Sequence, residues 1–133
     1  MIAGGLAWPE PGAAQRDKTE GYAFVAFLQS IAVQRWARVC ERGVPGYRER
    51  FDKVYIRWSD EHRAMIARGE RVFRAELSKK DQADTDYAKL QQVEKAIAEL
   101  AQSPRDTSPL TLDDHTRATC ENNLAELDPS LKP

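Results

Sequence analysis

The sequence lacks the motifs by which many enzymes and membrane proteins are identified. No stretch of its 133 residues approaches the roughly 20 consecutive apolar residues that span a bilayer. It has no glycine-rich phosphate loop, no dinucleotide fingerprint, and no CxxC or HxxxH spacing. These absences predict a protein without a membrane span and without a cofactor.

The histidines and serines likewise form no catalytic or metal-binding motif. His62 and His115 each lack the Glu three residues earlier that a di-iron helical bundle uses. Ser30 and Ser59 lie in helical patterns without flanking glycines, and nucleophilic catalysis needs an activated side chain beside a positioned base. We therefore predict no catalytic residue, no metal ligands and a non-enzymatic protein.

Glycine and proline are scarce, at seven residues each, and several of them fall in the first 17 residues. This start, rich in Gly, Ala and Pro, predicts a disordered N-terminal tail over 1–17. It lacks the basic region and the continuous apolar run of a signal peptide, so an exported form would begin as the mature chain.

The stretch from Tyr47 to Lys79 contains no proline and one glycine, and its large side chains recur at intervals of four and three. This spacing predicts a single amphipathic helix over about 46–79, roughly 50 Å long. Its predicted apolar stripe consists of Phe51, Tyr55, Trp58, His62, Met65, Gly69 and Val72, widened by Val54, Ile66, Phe73 and Leu77.

Three further helices are predicted, over about 19–42, 83–102 and 112–127. In the first, the predicted core stripe consists of Tyr22, Val25, Leu28, Ile31, Ala32, Trp36 and Val39, and Phe24, Phe27 and Val33 broaden it. Gly43 is expected to end that helix in the left-handed region, before a tight corner at Val44-Pro45-Gly46. Thr111 and Asp114 resemble a capping box at the start of the last helix.

These elements predict an all-α fold, an antiparallel four-helix bundle with one long central helix. An apolar fraction of 41%, a charged fraction of 31% and few glycines favour helices over a sheet. We expect one domain over 18–128, a C-terminal tail over 129–133, and a monomer.

Two cysteines, Cys40 and Cys120, permit one disulfide without requiring it. In an up-down-up-down bundle, the end of the first helix and the start of the fourth lie at the same end. We therefore predict a bridge, and with it a periplasmic or secreted location. The alternative is a pair of thiols in a cytoplasmic protein.

Charge is divided unevenly along the chain. Residues 1–80 carry fifteen Lys and Arg against ten Asp and Glu, whereas residues 81–133 carry five against eleven. A positive first half suits a nucleic acid, but the aromatic residues of the long helix occupy its core stripe, and acids are mixed among the arginines. An Arg-rich cytoplasmic module that binds nucleic acid or another polyanion is therefore the alternative function, and nucleic-acid binding is not expected.

A cysteine before a proline-containing turn, followed by an aromatic-rich helix, gives the chain a family resemblance. The residues that carry it are Cys40, Pro45, Tyr47, Phe51, Tyr55, Trp58, Ile66, Phe73 and, near the C-terminus, Cys120. Over roughly 36–127 the chain resembles small, largely uncharacterised exported helical proteins of proteobacteria. The resemblance implies an envelope location and an intramolecular disulfide, and it transfers no catalytic residue.

The end of the long helix is the predicted interaction site, because that helix extends several turns beyond its neighbours. Gly69 lowers helix propensity there by about 1 kcal/mol relative to alanine. We predict an interaction patch of Gly69, Val72, Phe73 and Leu77 facing an unknown protein partner or ligand. In the alternative, the third helix and the turn at 79–84 cover these residues. The expected function is that of a small envelope or secreted protein acting as a protein-interaction or structural module.

Overall fold

The computed structural model describes residues 13–79 and 85–131, with the backbone alone at 13–17 and 85–86. Within these ranges the chain is all-helical and contains no strand, which confirms the all-α prediction. The α-helices are α1 (Ala13–Gly43), α2 (Tyr47–Glu61), α3 (Arg63–Ser78), α4 (Thr85–Gln102) and α5 (Asp114–Leu127), and a 3-10 turn follows at Pro129–Leu131.

The first helix is longer than predicted. It begins at Ala13, so residues 13–17, predicted as part of the tail, are helical, and the rest of that prediction lies outside the described residues. The left-handed residue at the α1–α2 corner is Gly46, with φ 74°, rather than Gly43. Gly43 is required for another reason, because a Cβ there would lie 2.7 Å from the carbonyl oxygen of Leu110.

The long helix predicted over 46–79 is interrupted at His62. This residue has φ −108° and ψ 15°, outside the usual helical values, and it separates α2 from α3. Its backbone N–H and its ring Nδ1–H both donate to the carbonyl oxygen of Trp58, at 3.0 and 2.8 Å. The ring also stacks on the Trp58 indole, with centroids 4.8 Å apart. The sequence pattern does not indicate this break, because His62 occupies a position of the predicted apolar stripe.

The buried face of α1 agrees with the predicted stripe at Phe27 and Val33 and differs from it elsewhere. The side chains that face the interior are those of Ala23, Ala26, Phe27, Ser30, Val33, Ala37 and Cys40. Tyr22, Val25 and Trp36, predicted as core, are exposed. At the N-terminal part of α1 the reason is the close approach of α3, since Gly69 lies against the backbone of Ala23 and turns that line of α1 inward.

The start of α5 is also capped differently from the prediction. Asp113, and not the pair Thr111 and Asp114, is the N-cap residue, and its carboxylate accepts the backbone N–H of Thr116 at 2.7 Å. That hydrogen bond stabilises the ionised carboxylate and lowers the pKa of Asp113.

The helices pack around α1. α3 lies along the N-terminal part of α1, α4 contacts both α1 and α3, and α5 contacts α1 and α2. None of the helices described is both long and apolar enough to cross a membrane.

Candidate functional site

The predicted interaction patch is divided by the fold. Phe73 is fully buried and packs on Phe27 with ring centroids 5.4 Å apart, while Gly69 is buried against Ala23. These two residues cannot present a surface to a partner, because α1 covers them. Val72 and Leu77 are half-buried, so only these two residues of the predicted patch reach the surface.

Leu77 borders a groove of about 540 Å³ between the end of α3 and α4. The groove is lined by Arg74, Leu77, Ser78, Tyr87, Gln91, Glu94, Lys95 and Ala98. Two of these residues, Arg74 and Glu94, pair with each other at 2.7 Å. This ion pair joins α3 to α4 across the groove.

The cysteine sulfurs lie at disulfide distance, as predicted. Cys40 and Cys120 have their sulfur atoms 2.07 Å apart, and both residues are fully buried. Beside them, the hydroxyl of Tyr47 donates to the carbonyl oxygen of Cys120 at 3.0 Å. Burial of this phenol, and then the charge of Glu121, raise the pKa of Tyr47 to about 12.

Replacing Tyr47 with phenylalanine is expected to change how stability responds to alkali. The folded pKa of this phenol lies above its unfolded value near 10, so its contribution is complete below pH 10 and disappears as pH rises toward 12. The wild type should lose about 2 kcal/mol more than Tyr47→Phe between pH 9 and 12, while the variant is weaker by about 1 kcal/mol at pH 7. Urea denaturation of the two proteins at pH 7, 9 and 12 measures these differences in unfolding free energy. An equal loss of unfolding free energy in the two proteins would contradict the raised pKa of Tyr47.

A buried carboxylate joins three parts of the chain near the same end. The Glu41 side chain is 7% exposed and pairs with Arg48 at 2.9 Å and with Arg105 at 3.4 Å. Arg48 also contacts Asp52, at 3.2 Å. Sequence patterns do not indicate this network, because its members are separated by up to 64 positions. Since each charge faces an opposite one, the network links α1 and α2 to the loop before α5.

One side of the α1–α3 pair is covered by α4. The Arg38 guanidinium donates to the carbonyl oxygen of Leu100 at 2.8 Å, and Arg74 pairs with Glu94. A shallow depression along this contact is lined by Leu28, Ile31, Ala32 and Arg35 of α1, and by Lys89, Gln92, Val93 and Ala96 of α4. These contacts place α4 against the Ile31 side of α1 and the Arg74 side of α3.

The opposite side is covered by α5, but only toward the C-terminal end of α1. The bridge fixes Cys120 of α5 to Cys40, and Asp128, directly after α5, lies 3.7 Å from Arg57 of α2. With 14 residues, α5 extends about 21 Å. It thus covers α2 and the end of α1, and does not reach α3.

Among the described residues, α1 and α3 carry apolar side chains that the other helices leave exposed. We call Tyr22, Val25, Trp36, Met65 and Val72 the uncovered face. Helical residues seven apart share a line, which aligns Tyr22 with Trp36 on α1, and Met65 with Val72 on α3. Four of these side chains are 39–60% exposed, and Val72 is half-buried. Sequence reasoning missed this face, because its residues carry the apolar spacing of a core.

The histidines remain separate in the fold. His62 is half-buried at the α2–α3 break, while His115 is exposed in the first turn of α5. Within residues 13–79 and 85–131, no group of three or more His, Cys, Asp or Glu side chains is arranged to hold a metal ion.

The chain was compared with protein-family models, with curated proteins and with solved structures, and none of the three comparisons found a match. The site is accordingly interpreted from its own residues.

Proposed function

We propose that this protein is a small, non-enzymatic helical module that binds another protein in an oxidising compartment, in the cell envelope or outside the cell. The observation that carries this proposal is the uncovered face, on which Tyr22 and Val25 are each 60% exposed. We take these side chains to form one patch, and an exposed apolar patch on a small protein is typical of a contact with another macromolecule. The expected function remains that of an interaction module. Its proposed binding site is now this face rather than the end of α3.

We also propose that the helices form a four-helix bundle. We regard α2 and α3 as one element bent at His62, which gives an antiparallel four-helix bundle with α1, α4 and α5. In this arrangement α5 is too short to accompany α1 along its full length. The uncovered face is then the part of the bundle that lacks a fourth helix.

The compartment is inferred from the cysteine pair. Sulfur atoms at bonding distance in a fully buried position suit an environment in which disulfides persist. The resemblance to exported helical proteins also supports an oxidising compartment. The chemistry of the described residues also favours binding over catalysis, since the ionisable side chains that converge, such as Glu41 with Arg48 and Arg105, form compensated pairs.

Binding to a polyanion is the less favoured function. Several arginines of the α2–α3 element are paired with carboxylates: Arg48 with Glu41, Arg50 with Glu121, Arg57 with Asp128, Arg63 with Asp60 and Arg74 with Glu94. A nucleic acid would have to compete with these acids for each guanidinium. Exposed arginines such as Arg68 and Arg71 are too few to form a continuous basic stripe.

The proposed function is tested by affinity capture with matched variants. The oxidised protein is immobilised as wild type, as Tyr22→Ser with Met65→Ser, and as Ile56→Ser, and each is exposed to native extract. Ile56 is 61% exposed and lies outside the uncovered face, so its replacement controls for the loss of surface apolarity.

A protein that is retained by the wild type and by Ile56→Ser, and lost by the double variant, is then purified and its affinity measured directly. We expect the double variant to weaken binding at least tenfold. A partner that binds all three proteins equally, or a preference for nucleic acid that weakens steeply with salt, would contradict the proposal.

A further inference from the structure

We propose that a polar pocket between α1, α2 and the end of α4 binds a small organic acid through its carboxylate. Three guanidinium groups line this pocket from different parts of the chain: Arg38 lies on α1, Arg48 on α2, and Arg105 in the loop before α5. The pocket shares no residue with the uncovered face, so this binding is a function in addition to the one proposed above.

The pocket has the size and the walls for a small ligand. Its volume is about 160 Å³, which is the space that about five water molecules occupy in the liquid. Phe51, which is 2% exposed, and the half-buried Leu100 form part of its lining. Two other lining side chains, those of Arg105 and Asp52, are 48% and 53% exposed, so solvent reaches the pocket beside them. A ligand of a few carbon atoms therefore has a way in and an apolar surface to cover.

The guanidinium groups have more N–H donors than the surrounding residues accept. Each guanidinium carries five N–H groups. Arg48 donates one to Glu41 at 2.9 Å and one to Asp52 at 3.2 Å. Arg105 forms an ion pair with Glu41 at 3.4 Å, and the Glu41 oxygen nearest to it accepts no hydrogen bond from the residues that the structure describes. Several N–H groups of Arg48 and Arg105 are therefore left for a ligand.

The ionisable groups at the pocket leave one positive charge in excess. The carboxylates of Glu41 and Asp52 balance two of the three guanidiniums. The third, that of Arg38, donates instead to backbone carbonyl oxygens at the end of α4, the nearest being that of Leu100 at 2.8 Å. The carbonyls at a helix C-terminus together carry only about half a unit of negative charge. A ligand with a single negative charge complements this excess.

A carboxylate fits these groups better than a phosphate does. Its two oxygens lie in one plane and match the paired N–H groups of a guanidinium. It carries one negative charge, whereas a phosphate group carries about 1.5 to 2 at pH 7 and exceeds the charge available. A carboxylate can also be joined to a short hydrocarbon body, which Phe51 and Leu100 would shield from water.

The ligand class is tested with butyrate, with butyramide as its neutral isostere, and with inorganic phosphate. Each is titrated into the oxidised, isotope-labelled full chain, and the NMR shifts of the backbone amides give the dissociation constant and the place of binding. We expect butyrate to bind at least tenfold more tightly than butyramide or phosphate. It should shift the amides around Phe51, Leu100 and Arg105, and leave those around Met65 unchanged.

Two replacements in the pocket should change the affinity in opposite directions. Arg105→Gln removes a guanidinium and should weaken butyrate binding at least tenfold, because charged donors form the strongest hydrogen bonds to a carboxylate. Asp52→Asn removes an acid that competes for Arg48, and should tighten butyrate binding at least threefold. Arg68→Gln, at an exposed arginine outside the pocket, is the matched control and should leave the affinity unchanged. Circular dichroism and the absence of free thiols verify that each variant retains the fold.

The outcomes decide for or against the carboxylate pocket. An absence of butyrate-induced shifts, equal affinity for butyrate and butyramide, phosphate bound as tightly as butyrate, or unchanged butyrate affinity in Arg105→Gln would overturn the proposal. If Arg105→Gln does not fold, Asp52→Asn decides, and a butyrate affinity no higher than that of the wild type overturns the proposal. None of these measurements involves the capture of a native protein, so the proposed function is tested separately.

Discussion

Removing the bridge between Cys40 and Cys120 is expected to lower the free energy of unfolding by about 4 to 5 kcal/mol. The two cysteines are 80 positions apart, so the bond closes a long loop and restricts the unfolded chain. In a domain of this size, such a loss is a large part of the total stability. Urea denaturation of wild type and of Cys40→Ala with Cys120→Ala measures it.

A reductant supplies the control for this prediction. It should shift the unfolding midpoint of the wild type toward that of the double variant and leave the variant unchanged. A thiol titration of denatured, unreduced protein should find no free thiol. Two free thiols, or a midpoint that does not respond to the reductant, would contradict the bridge and remove the main support for an oxidising compartment.

Replacing Gly69 with alanine is expected to destabilise the protein by about 3 kcal/mol or more. A Cβ at this position would overlap the carbonyl oxygen of Ala23 and lie 2.7 Å from the Cβ of Phe27. Backbone atoms cannot rotate away as a side chain can, so α1 and α3 must separate along their contact. The loss outweighs the roughly 1 kcal/mol that alanine adds to helix propensity.

The matched control is Gly21→Ala, the same replacement in α1 at a glycine with no neighbouring atom within 4 Å of the added Cβ. It should raise the melting temperature slightly, because alanine favours the helix and the added Cβ meets no neighbouring atom. Gly69→Ala should lower it by about 10 °C. If both replacements stabilised the protein, the close crossing of α1 and α3 would be wrong.

The sequence predicted those features that depend on local chemistry. The helical class, the Pro- and Gly-containing corner after α1, and the pairing of Cys40 with Cys120 follow from spacing, turn residues and the order of the helices. Each of these signals is carried by a few neighbouring residues, or by the antiparallel run of successive helices.

The errors arose where the contact between helices decides the outcome. Tyr22 and Trp36 have the spacing of core residues, yet α1 presents Ala23 to α3, which approaches closely there, and Ala37 to the cluster around Tyr47 and Cys120. Periodicity identifies which residues share a line, and the size of the facing side chains determines which line is buried. The uncovered face could not be predicted for this reason, and the patch proposed around Phe73 proved to be largely interior.

The placement of the disulfide has a consequence for local opening. The bond joins α5 covalently to the C-terminal end of α1, while α4 is held to α1 and α3 by side-chain packing, ion pairs and hydrogen bonds from Arg38. Partial unfolding of the oxidised protein should therefore begin with α4, and the amide hydrogens of that helix should exchange with solvent before those around Cys40. We expect the end of α1 at Cys40 to open last.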